Sequence, residues 1–185
     1  FRREPLPSVN NVFVYGNYQG STVAPGSYVA RLSYGKVIKE VKIEILPNPN
    51  TEYSAANFKE QQNLLINIEK AIRVIHLSVS EMRGAQDQLK HYSKVLKGKK
   101  AFESLYEKAL TIEKKLVEWE AQLIQPNQKT FQDVINFNNM LNAEFMHLKG
   151  FVDTDDPELT QGSKDRYEDL KNTWNKFRME LDEII

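Results

Sequence analysis

Apolar residues along the middle of the chain return at alternating steps of three and four. From Leu65 the series runs through Ile68, Ile72, Ile75, Val79 and Met82 to Leu89 and Leu96, with Gln86 and Ser93 filling two of its positions. A second series runs Phe102, Leu105, Ala109, Ile112, Leu116, Trp119, Leu123, and a later one Tyr167, Leu170, Trp174, Phe177, Leu181, Ile184. This spacing lays one apolar stripe along an α-helix and predicts helices packed nearly parallel. Val134, Phe137, Leu141, Phe145, Leu148 and Val152 predict a further helix between them. On this reading Ile75 lies on the buried seam and Glu69 on the exposed face.

The punctuation agrees with the periodicity. Ser54 is a good N-cap, Gly98 suits a left-handed helix end, and Lys94 and Lys97 favour the negative end of the dipole. Pro126 stops the second helix, Thr130 can cap the third and Ser163 the fourth. Helices are therefore expected over about 54–97, 100–125, 131–152 and 163–185, in an up-down-up-down bundle. At about 1.5 Å per residue the first would reach roughly 65 Å, well beyond its successors.

Residues 1–50 alternate with period two instead. Val12, Phe13, Val14 and Tyr15 form a β-rich run, and Pro25-Gly26 carries a turn signal. Tyr28, Ala30 and Leu32 then alternate with Val29, Arg31 and Ser33; Gly35 turns the chain; Val37, Val41, Ile43 and Ile45 alternate with Glu40, Lys42 and Glu44. The predicted fold class is α+β: a small antiparallel β-sheet over 1–50, then a four-helix bundle over 51–185. Three strands rarely hold a sheet alone, so strands preceding Phe1, or the helices, are expected to cover this one.

Composition narrows the function classes. Among 185 residues, 25 basic side chains balance 25 acidic ones, which removes the whole-chain electrostatic case for nucleic acid. No stretch approaches the roughly 20 apolar residues of a membrane span. The absence of cysteine excludes disulfides and thiol chemistry. A chain opening at Phe1 is expected to lie inside a longer or processed polypeptide.

Candidate chemistry is sparse. Asp153, Asp155 and Asp156, with Glu158, offer hard oxygen ligands at close spacing, but they lack the glycine turn and terminal Glu of a calcium loop, so turn and capping roles are the stronger expectation. His76, His91 and His147 form no metal-ligand pair, and His76, at the seam's edge, reads as half-buried and hydrogen-bonded. Lys94, Lys97, Lys99 and Lys100 make a basic corner that the helix dipole explains. Gln86 and Ser93 could fix register. Trp119, Trp174, Phe137, Phe145, Tyr167 and Phe177 could line a ligand cavity, yet their heptad spacing favours core packing. Neither a nucleophile elbow, a glycine-rich phosphate loop nor an acid-base carboxylate pair is present, so no catalytic residue and no cofactor is assigned.

Val23-Ala24-Pro25-Gly26-Ser27-Tyr28-Val29-Ala30-Arg31-Leu32, followed by Gly35-Lys36, resembles the last strands of an immunoglobulin-like domain in secreted bacterial proteins with a sortilin-type, glycosyl hydrolase-like β-propeller. Ser54-Ala55-Ala56-Asn57-Phe58 with Gln61, the Asn-rich run Ile135-Asn136-Phe137-Asn138-Asn139-Met140-Leu141, and Pro157, Thr160, Arg166 and Leu170 are similar to the helical tail that closes those proteins. Asn57 stands where an acidic residue is more usual, and Pro47-Asn48-Pro49 where Asp-Pro-Arg is. The resemblance implies a partial immunoglobulin-like domain and a secreted or periplasmic setting. It also implies a non-catalytic accessory module whose partners are upstream domains of the same polypeptide or another protein, any hydrolytic chemistry lying in the propeller. A ligand-binding bundle and a self-contained adaptor are the alternatives.

Overall fold

The structure, a computed structural model, describes residues 1–50 and 52–185, with every side chain among them except that of Phe131. It has a two-stranded antiparallel sheet followed by four α-helices, an α+β fold with a small sheet and a helical bundle. Strand β1 (Gly26–Tyr34) pairs with β2 (Val37–Ile45), and the helices are α1 (Ala55–Leu96), α2 (Glu103–Leu123), α3 (Leu141–Val152) and α4 (Gln161–Ile184).

Helix α1 is the spine. Ser54 caps it as expected: its hydroxyl accepts the Asn57 amide, and Asn57 reaches back to the Ser54 amide, so two of the orphan donors at the helix start are satisfied reciprocally. After Leu96, Gly98 takes a left-handed φ of 77° and the chain reverses into α2. Arg83 on α1 bonds Glu120 on α2, so α2 lies antiparallel to the distal half of the spine. Gln61 donates to the carbonyls of Val152, Thr154 and Asp156 while His76 meets Asn142, so α3 lies antiparallel to the proximal half. Helices α2 and α3 thus run in the same direction, end over end along α1, and α4 returns across both, so the helix order is up-down-down-up where the sequence reading expected up-down-up-down.

The core follows the seams. Leu65, Ile68, Ile72, Ile75 and Val79 of α1 meet Trp119 and Leu123 of α2, Phe145, Leu148 and Val152 of α3, and Leu170 and Trp174 of α4. Gln86 and Ser93 are buried on the distal seam, where only α2 covers the spine, and Phe102 and Leu105 at its tip stay exposed.

Three boundaries differ from the sequence reading. Thr130 does cap, but through Asp133 it caps a short 3-10 turn, Phe131–Ile135, and α3 begins only at Leu141. Thr160 rather than Ser163 caps α4, its hydroxyl accepting the Ser163 amide. Most consequentially, Val12–Tyr15 form no strand. Residues 1–23 run as an extended strap along the bundle, closed on itself by the isolated bridge Arg2–Thr22 and the Leu6-to-Tyr18 backbone bond, with Leu6, Val9 and Val14 in the helical core.

Candidate interaction surface

The strap exists because α1 supplies polar groups for its backbone. Its two limbs share the Arg3–Ser21, Leu6–Tyr18 and Val23–Phe1 backbone bonds but no continuous ladder, and each buried amide or carbonyl left unpaired would cost about 1–3 kcal/mol. Arg73 donates to the Pro5 carbonyl, His76 Nδ1 to the Pro7 carbonyl at 2.7 Å, and Arg83 to the Asn10 carbonyl. On the returning limb the Ser21 amide donates to Glu69, the Thr22 amide to Asp153 at 2.9 Å and the Ala24 amide to Gln62 at 2.8 Å. Arg3 and Arg2 add ion pairs to Glu69 and Asp153. Glu69 is therefore buried, where the sequence reading had it exposed. Lys149, buried beside this group, has its pKa lowered by desolvation, which Asp153 and Glu69 partly offset.

These clamps end at the root of the hairpin, and every residue from Val29 to Lys42 is exposed. The register Tyr28↔Ile43, Ala30↔Val41, Leu32↔Lys39, Tyr34↔Val37 places all these side chains on one face, since directly opposed residues point the same way. That face is apolar except for Lys39, and Leu32, Tyr34, Val37 and Val41 are 71, 84, 56 and 61% exposed. The opposite face carries the Arg31–Glu40 ion pair (2.6 Å), Lys42 and Glu44, interrupted by the exposed Val29 and Ile38. The period-two sequence is thus realised as a ribbon with one mostly apolar and one mostly polar face, and its apolar side meets solvent. Two strands alone are marginal in water, so this ribbon presents both a hydrophobic face and two open edges to whatever docks there. Where it joins α1, Pro25, Ile45, Leu46, Pro47 and Phe58 line clefts that continue the apolar surface onto the bundle.

The residues singled out for chemistry are spent on structure. Asp153 holds the strap, the Asp156 carboxylate accepts the Glu158 amide in a tight turn, and Asp155 is exposed. Among the described residues no group of three or more His, Asp or Glu is placed to hold a metal ion. His91 and His147 stack edge-on against Tyr92 and Phe151 and are exposed. Trp119 and Phe145 are fully buried and Trp174 nearly so, all three within the one helical core, with Trp119 Nε1 donating to the Phe177 carbonyl at 2.8 Å. A groove of about 400 Å³ lies between α3 and the start of α4, floored by Leu148, Val152 and Leu159 and crossed at one end by the Arg166–Glu144 ion pair. Its lining carries three carboxylates, Glu144, Asp156 and Glu158, against one guanidinium, that of Arg166, which already pairs with Glu144. Among the described residues no helix is long and apolar enough to cross a membrane.

No protein-family model, no curated protein and no solved structure matches this chain. The hairpin face was legible in the alternation of residues 28–45; the strap that anchors it was not.

Proposed function

We propose that this chain is a non-catalytic interaction module in which a helical stand holds a β-hairpin whose apolar face docks onto a β-rich partner. The observation that carries the reading is the unpartnered face of Leu32, Tyr34, Val37 and Val41, held out by clamps at its root. A buried polar network spent on fixing the base of an exposed apolar ribbon fits presentation of that ribbon, because exposed hydrophobic patches of this kind mark interaction sites. The partner is the upstream part of the same exported polypeptide, as the resemblance to propeller-bearing secreted proteins implies: a sheet with an apolar face and a free edge, which the hairpin completes. The module brings no reaction of its own.

The test has two arms. Mixing this chain with the separately produced upstream region should give a complex by calorimetry, weakened at least about tenfold by Leu32→Glu, since burying an unpaired carboxylate costs more than about 1.4 kcal/mol. Turnover of any glycoside by this chain alone would contradict the non-catalytic reading, and unchanged binding by Leu32→Glu would contradict the docking face.

A further inference from the structure

His76 is the one buried histidine, and every polar atom of its ring is committed. Nδ1 lies 2.7 Å from the Pro7 carbonyl, which can only accept, so the proton sits on Nδ1. Nε2 is then a lone-pair acceptor, 3.3 Å from the Asn142 amide nitrogen, which donates to it. Asn142 cannot reverse its amide without loss, because its oxygen already accepts the Ala143 backbone amide at 2.7 Å in the first turn of α3. The ring therefore ties the strap, α1 and α3 together in one protonation state only.

A second proton would go to Nε2. It would set an N–H against the N–H of Asn142 and place a cation at a site about 1% exposed. The groups facing the ring offer no compensation. From the strap comes the Tyr18 phenol ring, at 5.8 Å between centroids; from α3, the neutral Asn142; on α1 itself, Arg73 one turn earlier spends its guanidinium on the Pro5 carbonyl. Burial accordingly pushes the His76 pKa down, with the Pro7 carbonyl acting weakly the other way.

We propose that His76 is an acid-sensitive latch on the strap: protonation of Nε2 releases residues 5–18 from the groove between α1 and α3 while the helical core stays folded. The sign follows from linkage. The released strap leaves the imidazole in water with an ordinary affinity for protons, near pH 6.5, and the latched form holds the proton less well. Latching is complete above about pH 6.5 and weakens as pH falls below it, by up to about tenfold per pH unit, until the latched ring itself titrates. The latch does not depend on what the hairpin face binds.

Hydrogen exchange followed by NMR, corrected for the intrinsic pH dependence of exchange, tests it. The reporter is the Leu6 amide, which donates to the Tyr18 carbonyl across the strap; the control is the Ile72 amide within α1. Between about pH 7.5 and about pH 4.5 Leu6 should lose protection by at least about tenfold while Ile72 keeps its own. Asn142→Asp places a carboxylate against Nε2, stabilises the imidazolium and should abolish the acid loss. His76→Gln keeps a donor for the Pro7 carbonyl without a titrating group and should make Leu6 protection independent of pH. Constant Leu6 protection in the wild-type chain, or the same acid loss in both variants, would overturn the latch. Should Gln not reach Pro7 and leave the strap open at every pH, the Asn142→Asp comparison still decides.

Discussion

Glu69 shows how far a single position can depart from its place in a pattern. On the helical wheel it neighbours the seam and reads as exposed, yet it accepts the Ser21 amide and pairs with Arg3 at 3.0 Å. Both partners lie far away in sequence, on a segment whose path no local periodicity encodes. Glu69→Ala should cost about 2–3 kcal/mol in thermal or denaturant unfolding, the range for losing a hydrogen-bonded charge, tempered by the partly exposed Arg3. Ile75→Asp, at a fully buried seam position, should unfold the bundle, because its carboxylate has no partner there. Lys114→Ala, whose ion pair with Glu118 is largely in solvent, should move stability by less than about 0.5 kcal/mol. Equal losses at Glu69 and Lys114 would mean that the strap is not clamped.

At the level of elements, helices α1, α2 and α4 and the hairpin were legible because each carries its own signal: a stripe, a cap, an alternating run around Gly35. Val12–Tyr15 misled for a physical reason. β-branched and aromatic residues suit a half-buried extended chain, and the strap is one, but side chains of α1 and a few bonds between its own limbs, rather than a strand ladder, satisfy its backbone. The delayed start of α3 has a local cause: Thr130 and Asp133 form a capping box that serves a short 3-10 turn, itself preceded by the buried Gln125 and Gln128 in the link from α2. Gly20 tests the strap as an element. A Cβ there would clash with the backbone carbonyls of Arg3 and Glu4 on the opposite limb. Gly20→Ala should therefore separate the two limbs, cost on the order of 1–3 kcal/mol and expose the Leu6 amide to exchange at neutral pH, whereas Gly162→Ala, whose Cβ would make only an ordinary contact with the Thr160 hydroxyl at 3.9 Å, should do neither.

For the molecule as a whole, the sequence patterns named the parts but not their assembly. Nothing in a heptad series says that α2 and α3 share one side of α1, or that the first limb of the chain completes the helical core while the hairpin stays outside it. That division of labour is what the proposed function rests on: stability resides in the bundle and strap, recognition in the hairpin. The double substitution Leu32→Glu with Val41→Glu should accordingly leave the melting temperature of this chain within about 2 °C, since both side chains are already exposed. The most direct measurement compares hydrogen exchange of the amides in Gly26–Tyr34 and Val37–Ile45 in this chain and in a longer polypeptide carrying the upstream sheet proposed as its partner. If the apolar face is a docking surface, those amides exchange at least about a hundredfold more slowly in the longer polypeptide, and the double substitution removes that protection. Identical exchange of the hairpin in both would contradict it.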